Sequence, residues 1–216
     1  MGRQQQSVEA IVLASHEARA DRVITLLSDE HGRFPAFAKG AMGSKRRYGA
    51  HVEPMTRSTV ELSVGGSGMA RLLSASTVEA HAALKADLLR FALASTMCEV
   101  VLHLVVEHGR EEGVYPLVKR ALAHLNRPEI EVSEDLLLLF ELKMLARSGV
   151  LGSLESLPLG EEILAVILDW NEGQWRPLHK EGRRDLALYL ETRIQETSGR
   201  ALRSRHFLDQ MIDEAV

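Results

Sequence analysis

VEAIVLASHEARADRVITLLSDEHGRFPAFAKG, residues 8 to 40, decides the fold of the first part of this chain. It contains three short apolar or alternating runs, Val8–Ser15, Arg22–Ser28 and Arg33–Gly40, separated by charged and Gly-containing segments such as Ser28–Gly32. Alternation marks a strand with one buried face, and a charged segment with Gly supplies a turn. Downstream, STVELSV (Ser58–Val64) sets Val60, Leu62 and Val64 against Thr59, Glu61 and Ser63. Gly65, Gly66, Ser67 and Gly68 suit a hairpin tip, and MARLLSASTVE follows as a fifth strand. Five short strands in so little chain predict a small barrel, because closing the sheet removes its exposed edges. A five-stranded oligonucleotide-binding (OB) fold has this count.

From Ala80 onward the period becomes helical. LKADLLRFALASTMCEVVLHLVVEHG places Leu84, Leu88, Phe91, Ser95, Cys98, Leu102 and Val105 on one side, with Gly109 as a stop. Pro116 suits the first turn of a second helix that ends near Asn126, and Ser133 caps a third, which Gly149 ends. A weaker helix follows Gly160, and RRDLALYLETRIQETSG is the last long one, ending at Gly199. The expected organisation is therefore two-domain β plus α: an N-terminal five-stranded OB-fold barrel over residues 1–80 and an all-helical domain over residues 81–216.

The 216 residues suffice for two such cores, and 45% hydrophobic with 26% charged residues describes an ordinary globular protein. No apolar run is long enough to span a bilayer and MGRQQQSVEA lacks the apolar stretch of a secretory signal, so the expected location is the cytoplasm. The single cysteine, Cys98, excludes an internal disulfide or a multi-cysteine zinc site and reads as a small core residue.

Charge is unevenly placed. The formal net charge is −4, yet RFPAFAKGAMGSKRRYGAHVEPMTR (Arg33–Arg57) sets six cations, Arg33, Lys39, Lys45, Arg46, Arg47 and Arg57, against Glu53 alone. Phe34, Phe37 and Tyr48 are interleaved with them. Cations that neutralise phosphates release condensed counterions, and an exposed ring stacks on any base. This run is thus a candidate nucleic-acid surface. Phe34 and Phe37 serve equally well as barrel core, while Tyr48, between Arg47 and Gly49, is the better exposed stacking candidate. The tail from residue 176 holds 8 Lys or Arg against 7 acids. Arg183, Arg184, Arg203 and Arg205 within it are candidates for a second DNA or partner site, with a solvated helix face as the structural alternative.

No catalytic constellation emerges. GAMGSK (Gly40–Lys45) lacks the P-loop spacing, because Ser44 and not Gly precedes Lys45. In HLVVEH the histidines at 103 and 108 are wrongly spaced for a zinc helix, and His103 with Glu107 reads as a structural pair. GGSG at 65–68 lacks the second Gly of a nucleophile elbow. The remaining histidines are scattered. A binding protein with no cofactor, metal or enzymatic activity is the expectation.

The ADRV turn (Ala20–Val23), EHGRFPAFAKGA, SKRRYGA and the closing RSRHFL, in their order over about residues 8 to 212, resemble the RecO family of bacterial recombination mediators and DNA repair proteins. The resemblance implies an OB barrel followed by a helical domain, binding of single- and double-stranded DNA, and annealing of complementary strands. It also implies cooperation with RecR, in some bacteria with RecF, to load RecA onto DNA coated by single-stranded-DNA-binding protein, at the nucleoid and without nucleotide hydrolysis. The matching DNA-contact positions are Arg33, Lys39, Lys45, Arg46 and Arg47. Many family members carry a four-cysteine zinc module after the helix corresponding to Glu134–Ser148; here RSGVLGSLESLPLGEEILAVIL passes through without cysteine, so no zinc is expected.

Two further readings use the same residues. The acidic, apolar-ended tail of the single-stranded-DNA-binding protein suits a groove to which Arg203, Arg205, Phe207 and Leu208 contribute. Alternatively, the chain is a helical scaffold or protein-interaction module whose basic barrel loop holds an acidic protein or RNA.

Overall fold

The computed structural model describes residues 4–44, 47–65 and 69–214; Lys45, Arg46 and most of the Gly65–Gly68 tip lie outside them. The chain forms two compact units, the first from residues 1–88 and 105–128, the second from 89–104 and 129–216. The segment 105–128 thus joins the barrel, whereas the sequence pattern places the boundary at residue 80.

In the first unit, β1 (Gln4–Ala18), β2 (Asp21–Ser28), β3 (Gly32–Ala38), β4 (Arg57–Val64) and β5 (Ala70–Glu79) close in the order β1-β2-β3-β5-β4. This is the OB fold the strand count implies. Strand β1 is longer than Val8–Ser15 because it serves two neighbours. Its first half pairs with β4, as in Val8 with Val60, and its second half with β2, as in His16 with Val23. A register shift between Val12 and Ala14 bends it from one to the other, as bulges do in barrels. The parallel pairing of β3 with β5 is short, running from Ala36–Ala70 to Ala38–Leu72.

Alternation fixes what fills the barrel. Val8, Ala10 and Val12 of β1, Ile24 and Leu26 of β2, Phe34, Ala36 and Ala38 of β3, Val60 and Leu62 of β4, and Leu72 of β5 form one buried cluster. The β2–β3 turn makes the closest approach. Gly32 has φ +62°, and a Cβ there would lie 1.9 Å from the carbonyl oxygen of Gly109, so only glycine fits.

Helix α1 (Ala82–Ala86) and helix α3 (Val114–Leu125) belong to this unit, and Asn126 Oδ1 accepts the Leu84 N–H at 3.1 Å. Between them in the chain runs α2 (Leu88–Leu104). The sequence predicts one helix through to Gly109. The structure instead breaks it at Asp87, which is extended, and ends it at Leu104. Beyond that point, His108 takes φ +61° and donates its N–H to the Arg33 carbonyl at 2.7 Å.

The second unit contains α2, α4 (Glu134–Arg147), α5 (Glu161–Asn171), α6 (Lys180–Ser198) and α7 (Arg203–Glu214). Helix α2 is its core. Ala92, Leu93, Ala94, Thr96, Met97, Cys98, Val100 and Val101 are all buried, as expected of a helix apolar all round and not along one side. Helix α7, which the sequence pattern does not mark, is held at its start by α2: Glu99 accepts the N–H groups of Arg203 at 3.0 Å and Ser204 at 2.8 Å. A carboxylate from a neighbouring helix therefore does the work of an N-cap.

Candidate nucleic-acid interface

Period two in β3 turns Phe34, Ala36 and Ala38 inward and leaves Arg33, Pro35 and Phe37 on the outside, half-buried. Register extends that outer face. Phe37 is level with Val23 on β2 and with Arg71 on β5, and Val23 is level with His16 on β1. The row His16, Val23, Phe37, Arg71 crosses four strands, roughly 15 Å at ordinary strand spacing. Arg71 is half-buried, and its Nε has no hydrogen-bond partner among the described residues.

One end of this row is cationic. Lys39 is exposed just past Ala38, whose register partner is Arg22. The next residue, Gly40, donates its N–H to Asp21 Oδ1 at 2.6 Å, tying the Lys39 segment to the β1–β2 turn. That turn carries Arg19, exposed and at φ +60°, while Arg22 pairs with Glu17 at 3.5 Å. Arg19, Arg22 and Arg71 lie outside the basic run, and no local pattern in the sequence distinguishes them. Strand pairing brings Arg71 level with Phe37, and the Gly40–Asp21 bond brings the turn that carries Arg19 and Arg22 to the Lys39 segment.

The loop after β3 is organised differently from the expectation. Tyr48 is 2% exposed and joins Ala41 and Val52 in the barrel core, and its hydroxyl donates to the Leu72 carbonyl at 3.1 Å. The expectation of an exposed stacking ring is corrected, and the reason is geometric. The β3–β5 seam is short, and the loop folds over it through 3₁₀ turns at Ala41–Gly43 and Gly49–Val52, so the ring plugs the opening. Arg47 stays exposed. Its guanidinium carbon is 5.2 Å from the Tyr48 ring centroid, its Nε donates to Ser44 Oγ at 2.8 Å, and its carbonyl accepts the Ala75 N–H at 3.1 Å.

Arg57 is engaged within the unit, whereas the Arg33 Nε is buried without a hydrogen-bond partner among the described residues. Arg57 pairs with Glu9 at 3.0 Å, and Glu9 also accepts the Tyr115 hydroxyl at 2.7 Å and faces Lys119 at 3.5 Å. The Tyr115 hydrogen bond, with Arg57 and Lys119 beside it, holds the Glu9 carboxyl below its usual range against the opposing effect of burial. Arg33 is half-buried; burial lowers its pKa, and Glu107 offsets part of that effect. Lys45 and Arg46 lie outside the described residues.

The tail cations also separate. Arg183 spends its guanidinium on buried Asp135, at 2.7 and 3.2 Å, and on the Leu178 carbonyl at 3.1 Å. Arg205 is 3% exposed and faces Glu141 at 3.2 Å and Glu134 at 3.6 Å, and Leu208 is fully buried. The expectation that Arg205 and Leu208 line an open groove is therefore corrected: burying α7 against α4 carboxylates uses them. Arg184, Arg203 and Phe207 remain exposed.

Sorted by unit, the sequence charge divides more sharply than along the chain. The barrel unit has 15 Lys and Arg against 12 Asp and Glu, net +3, and the helical unit 11 against 18, net −7. A polyanion is favoured at the first and not at the second. Among the described residues no group of three or more His, Cys, Asp or Glu is placed to hold a metal ion, and no helix is long and apolar enough to cross a membrane.

Comparison with known proteins agrees with this architecture. A model of the recombination protein O N-terminal domain matches residues 1–81, and one of the recombination protein O C-terminal domain matches residues 85–156. The DNA repair protein RecO of Syntrophotalea carbinolica is 37% identical over 66% of this chain, a match that spans 55% of the relative's own length. That of Anaeromyxobacter dehalogenans is 29% identical over 93% of this chain and 94% of the relative, and that of Myxococcus xanthus 33% identical over 70% and 62%. Tandem matches to both domain models, in the order of the barrel and the helices, with relatives aligned along nearly the whole chain, establish that this chain belongs to the RecO family of DNA repair proteins.

Proposed function

We propose that the outer face of the barrel binds single- and double-stranded DNA with little sequence preference, and that the protein uses this face to anneal complementary strands. The observation that carries the reading is the register of Phe37 with Arg71, a flat ring and a guanidinium side by side on the outer sheet, at the cationic end formed by Lys39, Arg19 and Arg22. Phosphates pair with the cations, and one base stacks on Phe37. Arg47, with Lys45 and Arg46 of the same loop, extends the phosphate track. Arg57 supports the site from within the unit by tying β4 to β1 through Glu9.

Annealing requires two strands to be held while their mutual repulsion is screened. Of the four candidate tail cations, Arg184 and Arg203 are exposed. They offer the second strand a local foothold on a unit whose net charge disfavours it, so the second strand is held more weakly than the first. In this reading the chain works without nucleotide, cofactor or catalysis, in the cytoplasm at the nucleoid. It helps load RecA onto DNA coated by single-stranded-DNA-binding protein, together with RecR and in some organisms RecF. The acidic tail of the single-stranded-DNA-binding protein would meet Arg203 and Phe207, the members of the tail set that are exposed.

Fluorescence anisotropy of a labelled mixed-sequence strand, titrated at several salt concentrations, tests the site. Lys39→Ala with Arg71→Ala should shallow the salt slope by about 0.7 for each phosphate no longer neutralised. Phe37→Ala should weaken binding by about 1 to 3 kcal/mol with the slope unchanged. Unaltered affinity and slope in all of these variants would refute the outer-face assignment. A charge-dependent preference for an acidic protein or for RNA over DNA would instead support the scaffold or RNA reading.

A further inference from the structure

The seat of Phe37 in the sheet limits how a nucleic acid can use its ring. Phe37 is half-buried, with Val23 of β2 level with it on one side and Arg71 of β5 on the other. An antiparallel partner such as Val23 stands about 4.5 to 5.5 Å away at Cβ. The ring therefore lies in a sheet surface between two neighbours and does not project from a loop tip. Side chains that open a duplex are projecting apolar wedges driven between stacked base pairs. A ring seated as Phe37 is accepts only a base whose face is already free.

Bases within a duplex have no free face, because each is covered by the next pair. A single strand thus gains the Phe37 contact and a duplex does not. The cations of the same face act in the opposite sense. Each neutralised phosphate releases more counterion from B-form DNA than from a single strand, with salt slopes of about 0.9 against about 0.7. For equal numbers of contacts, exposed Lys39 and Arg47 and half-buried Arg71 favour the duplex. For a protein that anneals strands the duplex is the product, so a face made of cations alone would be blocked by what it makes.

We propose that Phe37 sets the preference of this face for unpaired over paired DNA and makes annealing self-releasing: the base on Phe37 leaves the ring when it pairs, and the duplex then dissociates. The inference rests on the outer-face reading above and adds the residue that tells substrate from product. One stacked base is worth roughly 5- to 150-fold in affinity. A half-buried ring offers part of its face, which sets the expectation at roughly five- to twentyfold.

The test compares the full chain, Phe37→Ala, and Lys39→Ala with Arg71→Ala, each checked by circular dichroism. Anisotropy measures binding to a mixed-sequence strand, to its duplex with the complement, and to an abasic strand of the same length. Phe37→Ala should weaken the strand by roughly five- to twentyfold, and the duplex and abasic strand by less than about twofold. The double cation variant should weaken all three. In annealing assays at saturating strand, unrelated duplex should inhibit Phe37→Ala at a concentration lower by the same roughly five- to twentyfold. An equal loss on strand and duplex, or on strand and abasic strand, overturns the proposal by making Phe37 a wedge or a structural residue, while a loss in the cation variant keeps the outer-face reading. If both variants bind all three DNAs as the parent does, the outer-face reading fails and the inference falls with it.

Discussion

Replacing Arg205 by Met removes the cation that faces Glu141, a residue with no exposed surface. Glu141 Oε1 lies 3.2 Å from Arg205 Nη1, and its Oε2 has no hydrogen-bond partner among the described residues. Burial raises the Glu141 pKa to about 7 even with Arg205 opposite, and Glu134, Glu191 and Asp209 push it the same way. That value lies above the ordinary 4.5, so the folded state binds the proton more tightly and stability falls as pH rises from 4.5 through about 7. Without Arg205 the carboxyl titrates higher still. Below about 7 Glu141 is protonated in parent and variant alike, and the cost of Arg205→Met there is limited to packing and the removal of the cation facing Glu134. Above it, each further unit by which the variant's pKa rises costs about 1.4 kcal/mol. Breaking a buried pair costs about 3 to 5 kcal/mol, and we expect that range at roughly pH 9 and less than about half of it at pH 6. Arg205→Met with Glu141→Leu should recover most of the loss at the higher pH, because no charge is then left buried. Urea unfolding followed by circular dichroism at both pH values measures all three proteins. A cost independent of pH, or no recovery in the double variant, would refute the account.

Three other outcomes follow from the geometry. Tyr48→Phe leaves the Leu72 carbonyl without its 3.1 Å partner and should cost about 1 to 2 kcal/mol in urea unfolding while single-strand affinity stays the same; a fall in affinity at unchanged stability would return Tyr48 to the DNA surface. Gly32→Ala forces a Cβ to within 1.9 Å of the Gly109 oxygen at φ +62° and should destabilise by more than about 2 kcal/mol, seen as a lowered melting temperature; an unchanged Tm would contradict that close approach. The Cys98 thiol, pushed up to about 12 by burial, should not react with Ellman's reagent at neutral pH until the chain unfolds; rapid native labelling would mean that the core of the helical unit opens readily.

The barrel is legible in the sequence because its information is local. Period-two alternation in Val60 and Leu62, and in Phe34, Ala36 and Ala38, states which face is buried without knowledge of the partner strand; it stops short of Val64, which is exposed at the strand end. Helix ends are less legible. The apolar pattern of α2 runs on through Val105, but a tertiary bond from His108 to Arg33 draws the chain out of the helix, and nothing between Leu104 and Gly109 announces it. Helix α7 escapes a sequence reading for a related reason: its start is capped by Glu99, about a hundred residues earlier in the chain, so no local cap marks it.

The site shows the same division between what chain proximity tells and what pairing tells. Six cations between Arg33 and Arg57 read as one surface, because neighbours in sequence are the only neighbours a sequence has. In the fold, Arg57 closes on Glu9 and Arg33 turns half-buried, while Lys39 and Arg47 remain exposed. The guanidinium that stands beside Phe37 is Arg71, from a strand that begins more than thirty residues later. Tyr48 reads as the stacking ring because it is flanked by polar and flexible residues, yet the short β3–β5 seam needs a large side chain to fill it, and Tyr48 is the aromatic of the loop that crosses it. Phe37 reads as core as readily as Phe34, but an odd spacing of three residues between them puts the two rings on opposite faces of one strand. A stacking surface on such a barrel is therefore set by parity along the strand and by register across strands, and the cations that accompany it are those that share the register.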